Sequence, residues 1–413
     1  MPQPVLSDKG SNYEFTWADY QLTAHVSRIH EHKDGRTSCE IRFTTSNPEY
    51  KPHLLQQTFN LLGTSQGKTL LKNALSKVYK AKVDWDEVIE QICGITLNKL
   101  REGEPLEELW TDADITPVEY KLYPILLDRE PTLLFADGGS GKSSIGLYIA
   151  SCITLAPWDS NPLGFKPKFG KVLILDWETS NQTYKRNIQY LRRGHDLPEY
   201  MILYRRCWSP LADDINAIHE MVREHGVDTV IIDSIIGAVK GDVNDSTAAQ
   251  EFFRALRRLN VTSLLIHHTA KKTDLRNKSP FGSAYFNNLP RSVWELTSHQ
   301  EPGIDRLNVM MSHYKCNVDT KHPPIGIEII FNKAEGMTTF RRLNVESVVE
   351  FDGKLPLSRR ITNLLKRGKL TIKEISEELG APYNQVKARL NEMEGKKVLK
   401  LSNETWGLAR IEI

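Results

Sequence analysis

The chain has 413 residues, enough for two or three folded domains, and its ordinary globular composition excludes a disordered or collagen-like polypeptide. Lys and Arg (54) nearly balance Asp and Glu (52), so a formal net charge of +2 excludes whole-molecule attraction to nucleic acid; any basic surface has to be local. Five cysteines (Cys39, Cys93, Cys152, Cys207, Cys316) are scattered with no CxxC and no cysteine and histidine cluster at zinc spacing, which reads as reduced thiols in an intracellular protein. No basic and apolar leader and no apolar run of spanning length is seen, so a cytoplasmic protein with no membrane partner is expected.

From residue 13 to 45 apolar and polar side chains alternate (Tyr13, Phe15, Trp17; Leu22, Ala24, Val26; Cys39, Ile41, Phe43), predicting a small antiparallel sheet. From 52 to 101 the period reads as helical, through Leu54, Leu55, Phe59 and Leu62, then Leu70, Leu71, Ala74, Leu75 and Val78, then Trp85, Val88, Ile89, Ile92, Ile95 and Leu100. An N-terminal α+β accessory domain over 1–115 is the expectation. Within it, Gly63-Thr-Ser-Gln-Gly67-Lys68-Thr69 imitates a phosphate loop. It is one residue short and follows a helical pattern, so it reads as a helix-to-helix turn. The acidic stretch 102–114, followed by Pro117, reads as a linker.

A short apolar strand at 132–135 then runs into Ala136-Asp-Gly-Gly-Ser-Gly-Lys142-Ser143, and a helical stretch follows. Strand, glycine-rich turn and helix in that order make a phosphate-binding loop. Gly138, Gly139 and Gly141 let the backbone N–H groups of the loop, with Ser140 and Ser144, converge on a polyphosphate at a helix N-terminus. Lys142 would reach the β and γ phosphates, and the Ser143 hydroxyl would join the shell of a Mg²⁺. Ala136 stands where the pattern usually has glycine. A nucleoside triphosphate, ATP, with Mg²⁺ is the expected ligand pair.

After a Pro and Gly-rich connection (157–170), strands at 172–176, 201–204, 229–233 and 263–267 alternate with helical patterns at 183–193, 213–224 and 247–259, predicting a mostly parallel sheet covered on both faces. Functional residues should gather at the carboxyl ends of its strands. Two of these end in acids, Asp176-Trp-Glu178 and Asp233-Ser234, and either aspartate is placed to orient a Mg²⁺ water. If the third strand pairs beside the phosphate-loop strand, Asp233 faces the metal and Glu178 overhangs the γ-phosphate. Ser234 replaces the glutamate that AAA+ ATPases carry after that aspartate.

On these motifs residues 130–335 resemble the RecA-like ATPase core, closest to the branch of hexameric replicative helicases and plasmid replication ATPases. The resemblance implies a core over 116–345 and a homo-oligomeric ring, a hexamer, with sites at subunit interfaces. It implies Glu178 as catalytic glutamate and His268, in Leu264-Leu-Ile-His-His268, as γ-phosphate sensor. It further implies Lys315, in Val309-Met-Met-Ser-His-Tyr-Lys315, as a cation delivered to the neighbouring subunit's nucleotide, with Arg291 as second choice. Phe281-Gly282-Ser283-Ala284 resembles the family's RGS-type turn, with Phe281 in place of arginine. Lys271, Lys272, Arg276 and Lys278 follow the fourth strand, where such motors track single-stranded DNA.

Over 346–413 the pattern resembles a winged helix-turn-helix domain. Residues 354–400 hold twelve Lys or Arg against five Glu, the local basic surface that the whole chain lacks. The third helix would present Asn384, Gln385, Lys387 and Arg389 to duplex DNA. The sequence is therefore expected to encode an ATP-hydrolysing DNA-associated motor, a helicase or translocase of replication or repair. A regulatory ATPase (loader, switch or defence component) is the alternative, and an ATP-dependent small-molecule kinase is a weaker third, since no acceptor site or lid motif is apparent.

Overall fold

Strict alternation of side chains drives the first sixty residues into an antiparallel meander. Strands β1 (Val5–Asp8), β2 (Tyr13–Trp17), β3 (Leu22–Glu31), β4 (Thr37–Thr45) and β5 (His53–Asn60) pair in chain order. Phe15, Trp17, Leu22, Ala24, Ile41 and Phe43 form a buried face, closed by Leu71 and Leu75 of α1 (Ser65–Val78) and by Trp85, Val88 and Ile92 of α2 (Trp85–Glu102). The computed structural model describes residues 2–8, 12–32, 34–102, 106, 108, 111, 117–155, 161–270 and 279–409. Most of the acidic linker at 102–114 lies outside them, as do the four cations Lys271, Lys272, Arg276 and Lys278.

Two expectations for this region are corrected. The helical spacing of Leu54, Leu55 and Phe59 is overridden: 53–60 is a strand, because its backbone completes the ladder along β4, from Ser38 opposite Asn60 to Thr44 opposite His53. The imitation loop at Gly63 consequently joins a strand to a helix, not two helices. Lys68 lies inside α1 with its ammonium 2.6 Å from Glu90, so it has an anionic partner within its own unit.

The rest of the fold follows as β6 (Tyr120–Tyr123), β7 (Leu126–Leu127), β8 (Pro131–Ala136), α3 (Lys142–Thr154), β9 (Lys166–Pro167), β10 (Val172–Asp176), α4 (Asn181–Gly194), β11 (Leu203–Arg206), α5 (Leu211–His225), β12 (Thr229–Asp233), α6 (Ile235–Ala238), α7 (Ser246–Arg258), β13 (Thr262–His268), α8 (Tyr285–Asn288), β14 (Ser292–His299), β15 (Arg306–Cys316), β16 (Ile325–Asn332) and β17 (Met337–Leu343). Among the described residues nine of these strands form one sheet in the order β11-β10-β12-β13-β8-β14-β15-β16-β17. The half from β11 to β14 is parallel, and β14 to β17 is an antiparallel meander. Every residue of β10 and β12 is buried, as expected of central strands covered on both faces. One premise fails: β12 does not adjoin the phosphate-loop strand β8, because β13 lies between them.

The C-terminal elements are α9 (Leu357–Leu365), β18 (Leu370–Thr371), α10 (Ile372–Leu379), α11 (Tyr383–Met393), β19 (Val398–Lys400) and β20 (Thr405–Leu408), with the strands ordered β18-β20-β19. Ile361, Ile375, Val386, Leu390, Val398 and Trp406 are their core. A capping box between Thr371 and Glu374 starts α10, and Gly380 at φ +56° ends it. Three segments were expected, at 1–115, 116–345 and 346–413. The structure divides into two compact units, 1–117 with 213–225, and 118–212 with 226–413. No helix among the described residues is long and apolar enough to cross a membrane.

Burial pulls the pKa of His195, His267 and His313 down to about 4. His195 Nε2 accepts the Phe340 N–H at 2.9 Å, a bond that only the unprotonated nitrogen can make. The unfolded chain, with histidines near 6.5, takes up protons first, so stability present above that pH is lost as pH falls toward about 4. Thermal unfolding across this window is expected to show a falling Tm, and His195→Gln, which keeps an acceptor but cannot titrate, should make the fall shallower.

Candidate nucleotide site

At the end of β8 the chain turns through Gly139 (φ +72°) and Gly141 (φ +82°) before α3 begins at Lys142. Glycine is needed twice over at 141, since a Cβ there would stand 3.0 Å from Leu307 and 3.2 Å from Ile329. Ala136 is the buried last residue of β8 and has no positive φ, which is why it needs no glycine. Lys142 Nζ donates to the carbonyls of Ala136 (3.1 Å) and Asp137 (2.7 Å). Burial lowers its pKa, while Asp233, Glu178 and Asp137 act in the opposite sense. Together Gly138, Gly139, Ser140, Gly141, Lys142, Ser143 and Ser144 line a cavity of about 370 Å³, with Glu178, Asp233 and His268 on its other walls.

The two strand-end aspartates have different jobs. Asp176 is wholly buried: Oδ1 accepts the N–H groups of Glu178 and Thr179 (both 2.9 Å), and Oδ2 accepts Tyr204 Oη (2.7 Å) and Arg206 Nη1 (3.2 Å). Its lone pairs are spent on the turn that carries Glu178, leaving it badly placed for a metal. Asp233 instead bonds the Ser143 hydroxyl and accepts Tyr184 Oη at 2.7 Å. Burial pushes its pKa up, and these two hydrogen bonds pull it back. Hydroxyl and carboxylate side by side form a hard-oxygen pair of the kind that could hold Mg²⁺. Among the described residues no group of three His, Cys, Asp or Glu could chelate an ion unaided.

Glu178 Oε1 lies 3.2 Å from His268 Nε2 and also accepts the Ser234 hydroxyl. Alternation along β13 sends the adjacent histidines opposite ways: His268 faces the cavity, while His267 is buried with Nε2 2.7 Å from the Phe281 carbonyl. Phe281 therefore braces β13, its N–H bonding the His268 carbonyl as well. Sequence reasoning missed Tyr184, Tyr204 and Arg206, which hold the two aspartates. Nothing in their local pattern marks them. Ser234, noted for not being a glutamate, turns out to hold one.

Lys315, expected to reach a neighbouring subunit's nucleotide, is held by groups of its own chain. Its ammonium donates to the carbonyls of Asn287 (2.9 Å), Asn288 (2.8 Å) and Pro290 (3.0 Å), so its three donors are used within its own chain. Opposite Val293 near the start of β14, it sits at the end of the sheet away from the phosphate loop. Arg291 lies at that same end, its Nε 3.8 Å from Glu130. Lys315→Ala is expected to cost about 1–3 kcal/mol by stripping those carbonyls of a charged donor. In denaturant titrations stability should drop, and mixing with Lys142→Ala protein should restore no hydrolysis; recovery on mixing would reinstate a role across subunits.

On α11 the structure leaves Asn384, Gln385, Lys387 and Arg389 exposed, with Arg389 Nη1 2.5 Å from Glu392. A family model described as an AAA domain matches residues 99–274, a span that holds the phosphate loop, Glu178, Asp233 and His268. No curated protein matches the chain. That match indicates an AAA-type P-loop ATPase domain within the chain, and with it nucleotide-dependent ATPase activity.

Proposed function

We propose that the protein is a RecA-like, ATP-hydrolysing motor acting on DNA, a helicase or translocase of replication or repair. The observation that supports this best is Glu178, tied to Ser234 after β12 and to His268 at the end of β13 above the phosphate loop. With triphosphate on the loop, Lys142 would exchange two backbone carbonyls for phosphate oxygens, and Ser143 and Asp233 would hold Mg²⁺, which would supply charge neutralisation to the phosphates. Glu178 takes a proton from the attacking water. His268, touching both Glu178 and the cavity, exchanges the carboxylate for the γ-phosphate and so reports its loss along β13. The cations Lys271, Lys272, Arg276 and Lys278 follow that strand directly, where they would meet single-stranded DNA. A homo-oligomeric ring, a hexamer, is the proposed working form.

Reading 346–413 as a winged helix puts α11 in a duplex groove. Lys387→Ala and Arg389→Ala should each weaken duplex binding across all sequences and reduce the salt slope by about one, as measured by fluorescence anisotropy over a salt series. The second reading, a regulatory ATPase, is favoured by Asn384 and Gln385 on the same face, because amides read base edges. Unwinding of a forked duplex that needs ATP and disappears in Lys142→Ala supports the motor. ATP hydrolysis with site-specific duplex binding and no unwinding supports the switch.

A further inference from the structure

The compact unit made of 1–117 with 213–225 holds a cavity of about 380 Å³ that has no part in the nucleotide site. Strand register lays one polar row across its floor: Glu14 lies opposite His25, His25 opposite Arg42, and Arg42 opposite Gln56. These residues alternate with Phe15, Ala24 and Phe43, which face the apolar core, so the row points to the other side of the sheet. Such a face is ordinarily left to water. Here α5 stands over it, with Asn216, Ala217 and Glu220 on one helical face, and the small Ala217 leaves the room between them. At the cavity's edge Asn12 has a buried Oδ1 with no hydrogen-bond partner among the described residues, an acceptor that calls for a bound donor. A bulge in β3 between Ser27 and His30, with Arg28 at φ +51°, brings the Arg28 guanidinium to the rim, 2.9 Å from Glu40.

We propose that this cavity binds the zwitterion of a free α-amino acid, its carboxylate on Arg42 and its ammonium on Glu220. Three carboxylates (Glu14, Glu40, Glu220) against two guanidiniums (Arg28, Arg42) line the cavity, a balance that disfavours a phosphate-rich ligand. Arg28 and Glu40 neutralise each other, and Glu14 has His25 at 3.3 Å. Arg42 on the floor and Glu220 on the wall are left, neither with an ion-pair partner among the described residues. A bare cation would be repelled by Arg42 and a bare anion by Glu220, so the ligand that fits carries both charges. Charge-assisted hydrogen bonds to a guanidinium and a carboxylate would fix its two ends, and the Gln56 amide can serve either. The volume lies toward the small end of ligand pockets, which suits a single amino acid.

Isothermal titration of the full chain with each common L-amino acid tests this. At least one should bind at a one-to-one ratio. Its N-acetyl form, which lacks the ammonium, and its carboxamide, which lacks the carboxylate, should each bind at least about tenfold more weakly, the scale of a charge-assisted hydrogen bond. Arg42→Gln and Glu220→Gln should each cost a similar factor, and Arg42→Lys, which keeps the charge, less. Both glutamine variants remove a charge from the rim of a folded unit, so their thermal unfolding should match the wild type while binding falls. Ala217→Leu, which narrows the cavity, should abolish binding. No binding of any amino acid at millimolar concentration overturns the site, and so does binding that Arg42→Gln, Glu220→Gln and Ala217→Leu all leave unchanged. Equal affinity for the N-acetyl or carboxamide form overturns the zwitterion.

Discussion

Glu178→Gln is expected to leave ATP bound while its hydrolysis slows by about 10²–10⁴-fold, the usual contribution of a positioned general base. The amide keeps the size of the side chain and can still accept from Ser234, so the geometry around the loop should persist. What goes is the ability to take a proton. Equilibrium binding of ATP beside single-turnover hydrolysis separates the two effects. Unchanged turnover would move water activation away from Glu178, and Asp176 could inherit it only by giving up hydrogen bonds to Glu178, Thr179, Tyr204 and Arg206.

Asp176→Ala should be the most destabilising change in the site. It leaves Arg206 without its carboxylate and frees the turn that carries Glu178. Removing one member of a buried ion pair costs about 3–5 kcal/mol. Arg206 has a side chain 27% exposed and can recover some hydration, which puts the expected loss at the lower end. Chemical denaturation should show that loss, and hydrolysis by the folded fraction should fall too. Equal stability of Asp176→Ala and wild type would mean that the Arg206 and Tyr204 contacts contribute nothing net.

Features set by near neighbours along the chain are the ones legible in the sequence itself. The phosphate loop is one contiguous stretch whose glycines, lysine and serine act through local backbone geometry. The sheet's parallel half shows in apolar runs that end in acids. The C-terminal helices are bounded by residues such as Thr371 and Gly380 that act within a single turn.

Choices between equivalent local patterns belonged to the tertiary structure. Asp176 and Asp233 end similar strands, and what separates them is contact with Arg206 and Tyr204 in one case and with Ser143 and Tyr184 in the other. Lys315, expected from the resemblance to serve a neighbouring subunit, meets three carbonyls that the end of α8 and Pro290 bring to it. Residues 53–60 have a helical spacing and become a strand because β4 presents a ladder to pair with. Short-range sequence dictates what a segment can do. Hydrogen-bonding groups from distant segments decide which of those options is realised, since an unpaired buried carboxylate, ammonium or backbone group costs more than any local preference.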